Sequence, residues 1–231
     1  MAWYYKEIDA VFIDVPKTAS SFLRMKVFGC SPAGTAGPQV PGVLQFDHRE
    51  IGVKHSNRLD KAILNTNKHK FCFIRHPFTW YLSYWGKKMR KKSFATRGKK
   101  HPTYYLDNCI FNKNLEKFFE NLIIKGKMLD LPPYTQIVEN YTGFISKTNE
   151  VDKVYLYENL HSELENLLKD RWSSFEESHM LLIKEIPPSH TSNEVWRQHL
   201  ALINDDQIKY YKEKICELEY RVIEAYYSDR T

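Results

Sequence analysis

The stretch Val11–Phe28, VFIDVPKTASSFLRMKVF, decides how the chain is read. Val11, Phe12, Ile13 and Val15 form a short apolar run, interrupted only by Asp14, of the length of a buried strand. Pro16 ends it, because proline has no N–H to give to a sheet ladder. Lys17, Thr18, Ala19, Ser20 and Ser21 follow as a small, hydroxyl-rich turn, and the spacing of Phe22, Leu23, Met25, Lys26 and Val27 fits an amphipathic helix. A strand, a small polar turn with a lysine, and a helix can hold a phosphate. The helix N-terminus offers unpaired N–H groups and about half a positive charge. Lys17 adds a full charge, and the hydroxyls of Thr18, Ser20 and Ser21 add donors. An ordinary solvated turn is the other reading of the same residues. The ATP-type pattern G-x-x-x-x-G-K-S/T is absent: the turn holds no glycine, and its lysine precedes the hydroxyls.

The pattern recurs further on. Phe71–Ile74 (FCFI) reads as a second buried strand, followed at once by Arg75-His76-Pro77 and the segment FTWYLSYW. Arg75 at the strand end can fork two N–H bonds onto a phosphate. Ser83 lies eight residues on, about two helical turns, and so within reach of the same side. Trp80, Tyr81, Tyr84 and Trp85 read equally well as plain core. Two anion-suited turns in one α/β chain reinforce each other.

Between them, Gly29–Gly42 is dense in glycine and proline and reads as a mobile loop, either a substrate contact or a mere connection. His48 and His55 precede an expected helix around Asn57–Leu64. Histidine suits proton transfer near neutral pH, and these two of the nine histidines gain interest from their position. Further along, Lys87–Asn108 reads as basic and irregular. Helices are expected at Leu115–Ile124, Thr135–Glu139 and His161–Lys169, and a strand at Val151–Tyr157. Ile186–Asn193 reads as a loop. A long closing helix is expected over Asp205–Tyr227, with Ile208, Tyr211, Ile215, Leu218, Val222 and Tyr226 at core spacing. Strands alternating with helices predict a parallel sheet with helices on both faces.

With 231 residues, 42% of them hydrophobic, the chain is long enough for one domain with a full core. The net charge of +6 is moderate, and the run Lys87–Lys100 supplies much of it. That run is either a solvated segment or an attractor of anions. Four cysteines lie far apart without C-x-x-C, which argues against a zinc or redox motif and for a reducing setting. No apolar segment approaches a membrane span, and MAWYYKEIDA lacks a signal peptide's apolar core, so a cytoplasmic location is expected.

Together these pieces resemble the sulfotransferases that use 3′-phosphoadenosine 5′-phosphosulfate (PAPS), most nearly the carbohydrate-directed, Golgi-type and bacterial branch. That family carries P-K-T-G-S/T-S/T after its first strand, here Pro16-Lys17-Thr18-Ala19-Ser20-Ser21. It also carries R-D/N/H-P-x-x-R/W-x-x-S-Y/A/F-Y/W after a later strand, here Arg75 to Trp85. A strand followed by E-N-L, here Val154–Leu160, is a weaker mark. The resemblance implies a three-layer, P-loop-NTPase-like fold with a central parallel sheet flanked by helices, in one domain. It implies that Lys17, Thr18, Ala19, Ser20 and Ser21 bind the 5′-phosphosulfate, and that Arg75 and Ser83 hold the 3′-phosphate. Lys17 is then the neutraliser of charge on the bridging oxygen. The base is expected at His55, with His48 the alternative. The acceptor is a hydroxyl, expected on a carbohydrate, and the nucleotide product is 3′,5′-adenosine bisphosphate. The scheme calls for no metal and no nucleic acid. Three residues depart from the pattern. Ala19 replaces the usual glycine, which demands a negative φ there; Phe22 removes a hydroxyl; Trp80 replaces a common arginine. A nucleotide kinase of related fold and a basic nucleic-acid-binding module built on Lys87–Lys100 are the competing readings.

Overall fold

A computed structural model describes residues 2–29, 44, 46–51, 67–90, 103–147, 151–186 and 192–228, with the backbone alone at 48–51 and 192–194. The chain gathers into two compact units, Met1–Arg75 with Thr148–Ser189, and His76–Lys147 with His190–Thr231.

The first unit is built on a five-stranded sheet of order β3-β1-β2-β4-β5. Its strands are β1 (Ala2–Tyr5), β2 (Ala10–Ile13), β3 (His48–Ile51), β4 (His69–Ile74) and β5 (Lys153–Leu156). The architecture is α/β as expected, but the sheet is mixed where a parallel one was expected. β2, β4 and β5 run parallel, with Phe12 opposite Phe71 and Phe73 opposite Tyr155. β1 runs antiparallel to both β2 and β3. For β1 and β2 the reason is the short turn after Tyr5. Asp9 takes φ 43, and its N–H donates to the Lys6 carbonyl at 3.2 Å. A turn this tight joins only antiparallel neighbours.

Alternation along the strands sends Trp3, Tyr5, Ala10, Phe12, Phe71, Phe73 and Tyr155 to one face. There they pack with Leu23 and Val27 of α1 (Phe22–Val27), Leu164, Leu167 and Leu168 of α5 (Leu160–Arg171), and Met180 and Ile183 of α6 (Glu177–Glu185). Val11, Ile13, Cys72 and Ile74 alternate to the other face and are equally buried. That double burial explains why β2 and β4 read as continuous apolar runs. Each such side chain contributes about 1.5–3 kcal/mol on leaving water.

Among its described residues the second unit is helical. It holds α2 (Pro77–Arg90), α3 (Leu115–Gly126), α4 (Pro133–Thr142), α7 (Ser192–Leu200), α8 (Asp205–Leu218) and α9 (Tyr220–Tyr226). Aromatic rings fill its core: Trp80 lies 5.6 Å from Tyr84 and 4.8 Å from Tyr134, and Phe119 lies 5.2 Å from Tyr211. The helix ends carry local signals. The Asn114 side chain accepts the Lys117 N–H at 2.9 Å, and Asn204 accepts the Gln207 N–H at 2.8 Å. Pro133 opens α4 and Gly143, at φ 63, ends it.

Several expectations change here. The closing helix is two helices, broken at Glu219, where the backbone leaves the helical region (φ −95, ψ 27). Lys87–Arg90 are not irregular but form the last turn of α2, where cations meet the negative helix end. Leu106–Ile110 is a short turn of wide helix, closed by the Phe111 N–H on the Leu106 carbonyl at 2.9 Å. Ser192 and Asn193, read as loop, begin α7. The Gly29–Gly42 loop beyond Gly29 and the helix at Asn57–Leu64 lie outside the described residues.

Candidate functional site

Because β2, β4 and β5 are adjacent and parallel, their carboxyl ends share one edge of the sheet. Pro16–Ser21 follows β2 at that edge, Arg75 follows β4, and Tyr157 follows β5. Ligands of α/β sheets are met outside the carboxyl ends of such strands. The loop of the first motif, Arg75 from the second and the E-N-L mark thus meet at one edge of the first unit.

The loop after β2 is tightly bent. Lys17 stands at φ 72 and Ala19 at φ 65, both left-handed. The expectation that Ala19 needs a negative φ is therefore wrong: the alanine adopts the conformation a glycine would take. A left-handed alanine costs on the order of 1–2 kcal/mol from the approach of Cβ to the carbonyl. The hydroxyls also differ from expectation. Thr18 Oγ1 donates to the Val15 carbonyl at 2.9 Å, and Ser20 Oγ donates to the same oxygen at 2.7 Å. Both residues are buried. Their protons stitch the loop to the end of the strand instead of pointing outward. Ser21 is right-handed and makes no side-chain cap. For meeting an anion the loop offers the Lys17 ammonium, the Ser21 hydroxyl and the backbone N–H groups that left-handed residues turn into a concavity. The helix behind it, α1, is wound wide, with the Phe28 N–H on the Leu23 carbonyl at 2.9 Å.

An ion pair brackets the loop. Arg24 Nε lies 3.3 Å from Asp14 Oδ2, with both side chains largely shielded, and the Arg24 guanidinium sits 5.2 Å from the Trp3 ring centre. Sequence reading missed this pair. The signal was Asp14 itself, a carboxylate inside an apolar run, which requires a cation nearby.

Arg75 is 8% exposed, and its guanidinium carbon lies 4.4 Å from the Tyr157 ring centre. The second motif continues into the other unit. There Ser83 is buried on α2, and Trp80, in place of arginine, packs among Tyr81, Tyr84 and Tyr134. His76 Nε2 stands 3.7 Å from Cys216 Sγ, and burial pushes that thiol's pKa up. His48 begins β3 opposite Tyr5, level with Ala10 at the start of β2, so the alternative base lies at the far end of the sheet from this edge; His55 lies outside the described residues.

The basic run is not uniformly solvated. Lys88 Nζ pairs with Asp107 Oδ1 at 2.5 Å, and the Tyr84 and Thr103 hydroxyls donate to the same carboxylate. Positions 91–100 lie outside the described residues. Among the described residues, no cluster of His, Cys, Asp and Glu is arranged to hold a metal, and no helix is long and apolar enough to cross a membrane. Comparison with protein-family models, with curated proteins and with solved structures finds no match to this chain.

Proposed function

We propose that this chain is a sulfotransferase, built on a three-layer P-loop-like fold, that sulfates a hydroxyl of a carbohydrate with PAPS as donor. The observation that carries the reading is the loop after β2. It keeps a left-handed residue at Ala19, where the motif would have glycine, with Lys17 beside it at the carboxyl edge shared with Arg75. A substitution that preserves the special backbone conformation points to a selected shape, because alanine would relax to negative φ if the turn allowed it.

PAPS, when bound, supplies an activated sulfonyl group and carries two separated phosphates. The residues answer to that pattern. Lys17 and the loop N–H groups hold the 5′-phosphosulfate, and Lys17 neutralises the charge that develops on the bridging oxygen. Thr18 and Ser20 keep the loop in shape through Val15. Arg75 recognises the 3′-phosphate, the feature that separates this donor from ATP. His55 takes the proton of the acceptor hydroxyl as its oxygen forms the new bond to sulfur and the bond from sulfur to the bridging oxygen breaks.

Calorimetric titration with 3′,5′-adenosine bisphosphate and with ATP tests the reading. The bisphosphate is expected to bind. Binding of ATP alone would overturn the proposal in favour of a kinase, and binding of neither, with tight binding of single-stranded nucleic acid, would favour the binding module. A glycan panel with labelled donor then identifies the acceptor. Lys17→Ala is expected to lower turnover by about 100-fold or more with the bisphosphate still bound, as loss of a transition-state donor does. Normal turnover in that variant would remove Lys17 from the chemistry.

A further inference from the structure

Tyr157 has no role in the scheme so far, yet its ring meets Arg75. The contact follows from the sheet. β4 and β5 pair in parallel register, with Ile74 opposite Leu156, so the next residues of the two strands, Arg75 and Tyr157, leave the sheet side by side. The Arg75 guanidinium carbon stands 4.4 Å from the ring centre, close enough for attraction between the cation and the ring's negative face. A guanidinium is flat, and its N–H fork lies in its own plane. A ring this close to the guanidinium carbon therefore limits the planes in which the fork can offer two parallel bonds to a phosphate. With Arg75 8% exposed, that orientation is set in a largely water-excluded place.

We infer that Tyr157 is the positioning residue for Arg75, and that its ring, not its hydroxyl, sets the discrimination of a ribose 3′-phosphate from a ribose hydroxyl. The inference rests on the function proposed above. It concerns selectivity between two ligands, which a merely structural tyrosine would not alter.

The test compares the affinities of 3′,5′-adenosine bisphosphate and 5′-adenosine monophosphate, by calorimetry, in the full chain and in Tyr157→Phe and Tyr157→Leu. The unaltered protein is expected to prefer the bisphosphate. Phenylalanine keeps the ring and is expected to keep that preference. Leucine is expected to reduce it by about 2- to 30-fold, the range of a cation–ring contact, with affinity for the monophosphate little changed. An unchanged ratio in the leucine variant, or equal weakening of both nucleotides, overturns the inference and leaves the proposed function standing. A phenylalanine variant that loses the preference overturns it as well, whether or not the leucine variant folds. An unaltered protein without preference for the bisphosphate overturns both.

Discussion

Ala19 carries a conformational cost that one atom explains. At φ 65 its Cβ crowds the backbone, and glycine would not. Ala19→Gly is expected to raise the free energy of unfolding by about 1 kcal/mol, read from urea midpoints at unchanged slope. A loss of stability would show that the added freedom of the unfolded glycine outweighs the relieved contact. Glu219 makes a different residue-scale prediction. Its buried carboxylate accepts the Tyr134 N–H at 3.1 Å, the Thr135 N–H at 2.7 Å and the Thr135 hydroxyl at 2.6 Å, besides the Tyr81 hydroxyl. Those donors favour the charged form, but burial outweighs them and raises the Glu219 pKa above its usual 4.5. The folded state therefore binds this proton more tightly than the unfolded chain does. The contribution is complete below about 4.5 and is lost as pH rises through the higher folded value. Thermal unfolding followed across that range should show stability falling with pH from this group. Glu219→Gln should remove the slope, and at neutral pH it should cost about 1–3 kcal/mol, because an amide cannot accept at both ends. A slope that survives the substitution would assign it to another group.

At the level of elements, the ends of helices are where single side chains decide stability. Asn204 accepts the Gln207 N–H at the start of α8, ahead of Asp205 and Asp206 in the first turn. Asn204→Ala should lower stability by about 1 kcal/mol, visible as a lower melting temperature, and Asn204→Asp should restore most of it. The elements that sequence reading found share a cause: their signals are local. β2 and β4 announce themselves as apolar runs stopped by prolines, and α3 and α5 by helical spacing. The misses have causes too. β1 is joined to β2 by Lys6–Asp9, a turn without glycine or proline to mark it. The break at Glu219 is silent because Leu218 and Val222 keep helical spacing across it. Only the pairing of the Glu219 carboxylate with the start of α4 reveals why the chain bends there. Within the site, Lys17 and Arg75 were legible as cations after strands. The inward turn of Thr18 and Ser20, the Asp14–Arg24 bracket and the Arg75–Tyr157 contact were not, since each depends on which atoms meet in space.

On the scale of the whole molecule, the first unit is discontinuous in sequence, drawing β5, α5 and α6 from beyond helices α2 to α4 of the second unit. A chain cut after Lys147 would lose Leu164, Leu167, Leu168, Met180 and Ile183 from the core around Phe71 and Phe73. Such a fragment is expected to show no cooperative melting transition by circular dichroism and to elute from a sizing column as aggregate. A sharp transition would mean that the remaining strands suffice. The same discontinuity has a temporal side. On the ribosome, Ile74 is synthesised well before its partner Leu156, a gap on the order of ten seconds at ordinary elongation rates. Through that interval β4 is a strand edge with apolar side chains and no neighbour on one flank, the kind of surface that other chains can pair with. The nascent protein is thus most dependent on chaperone cover while the helices from α2 to α4 emerge, and slowing translation there should increase the insoluble fraction.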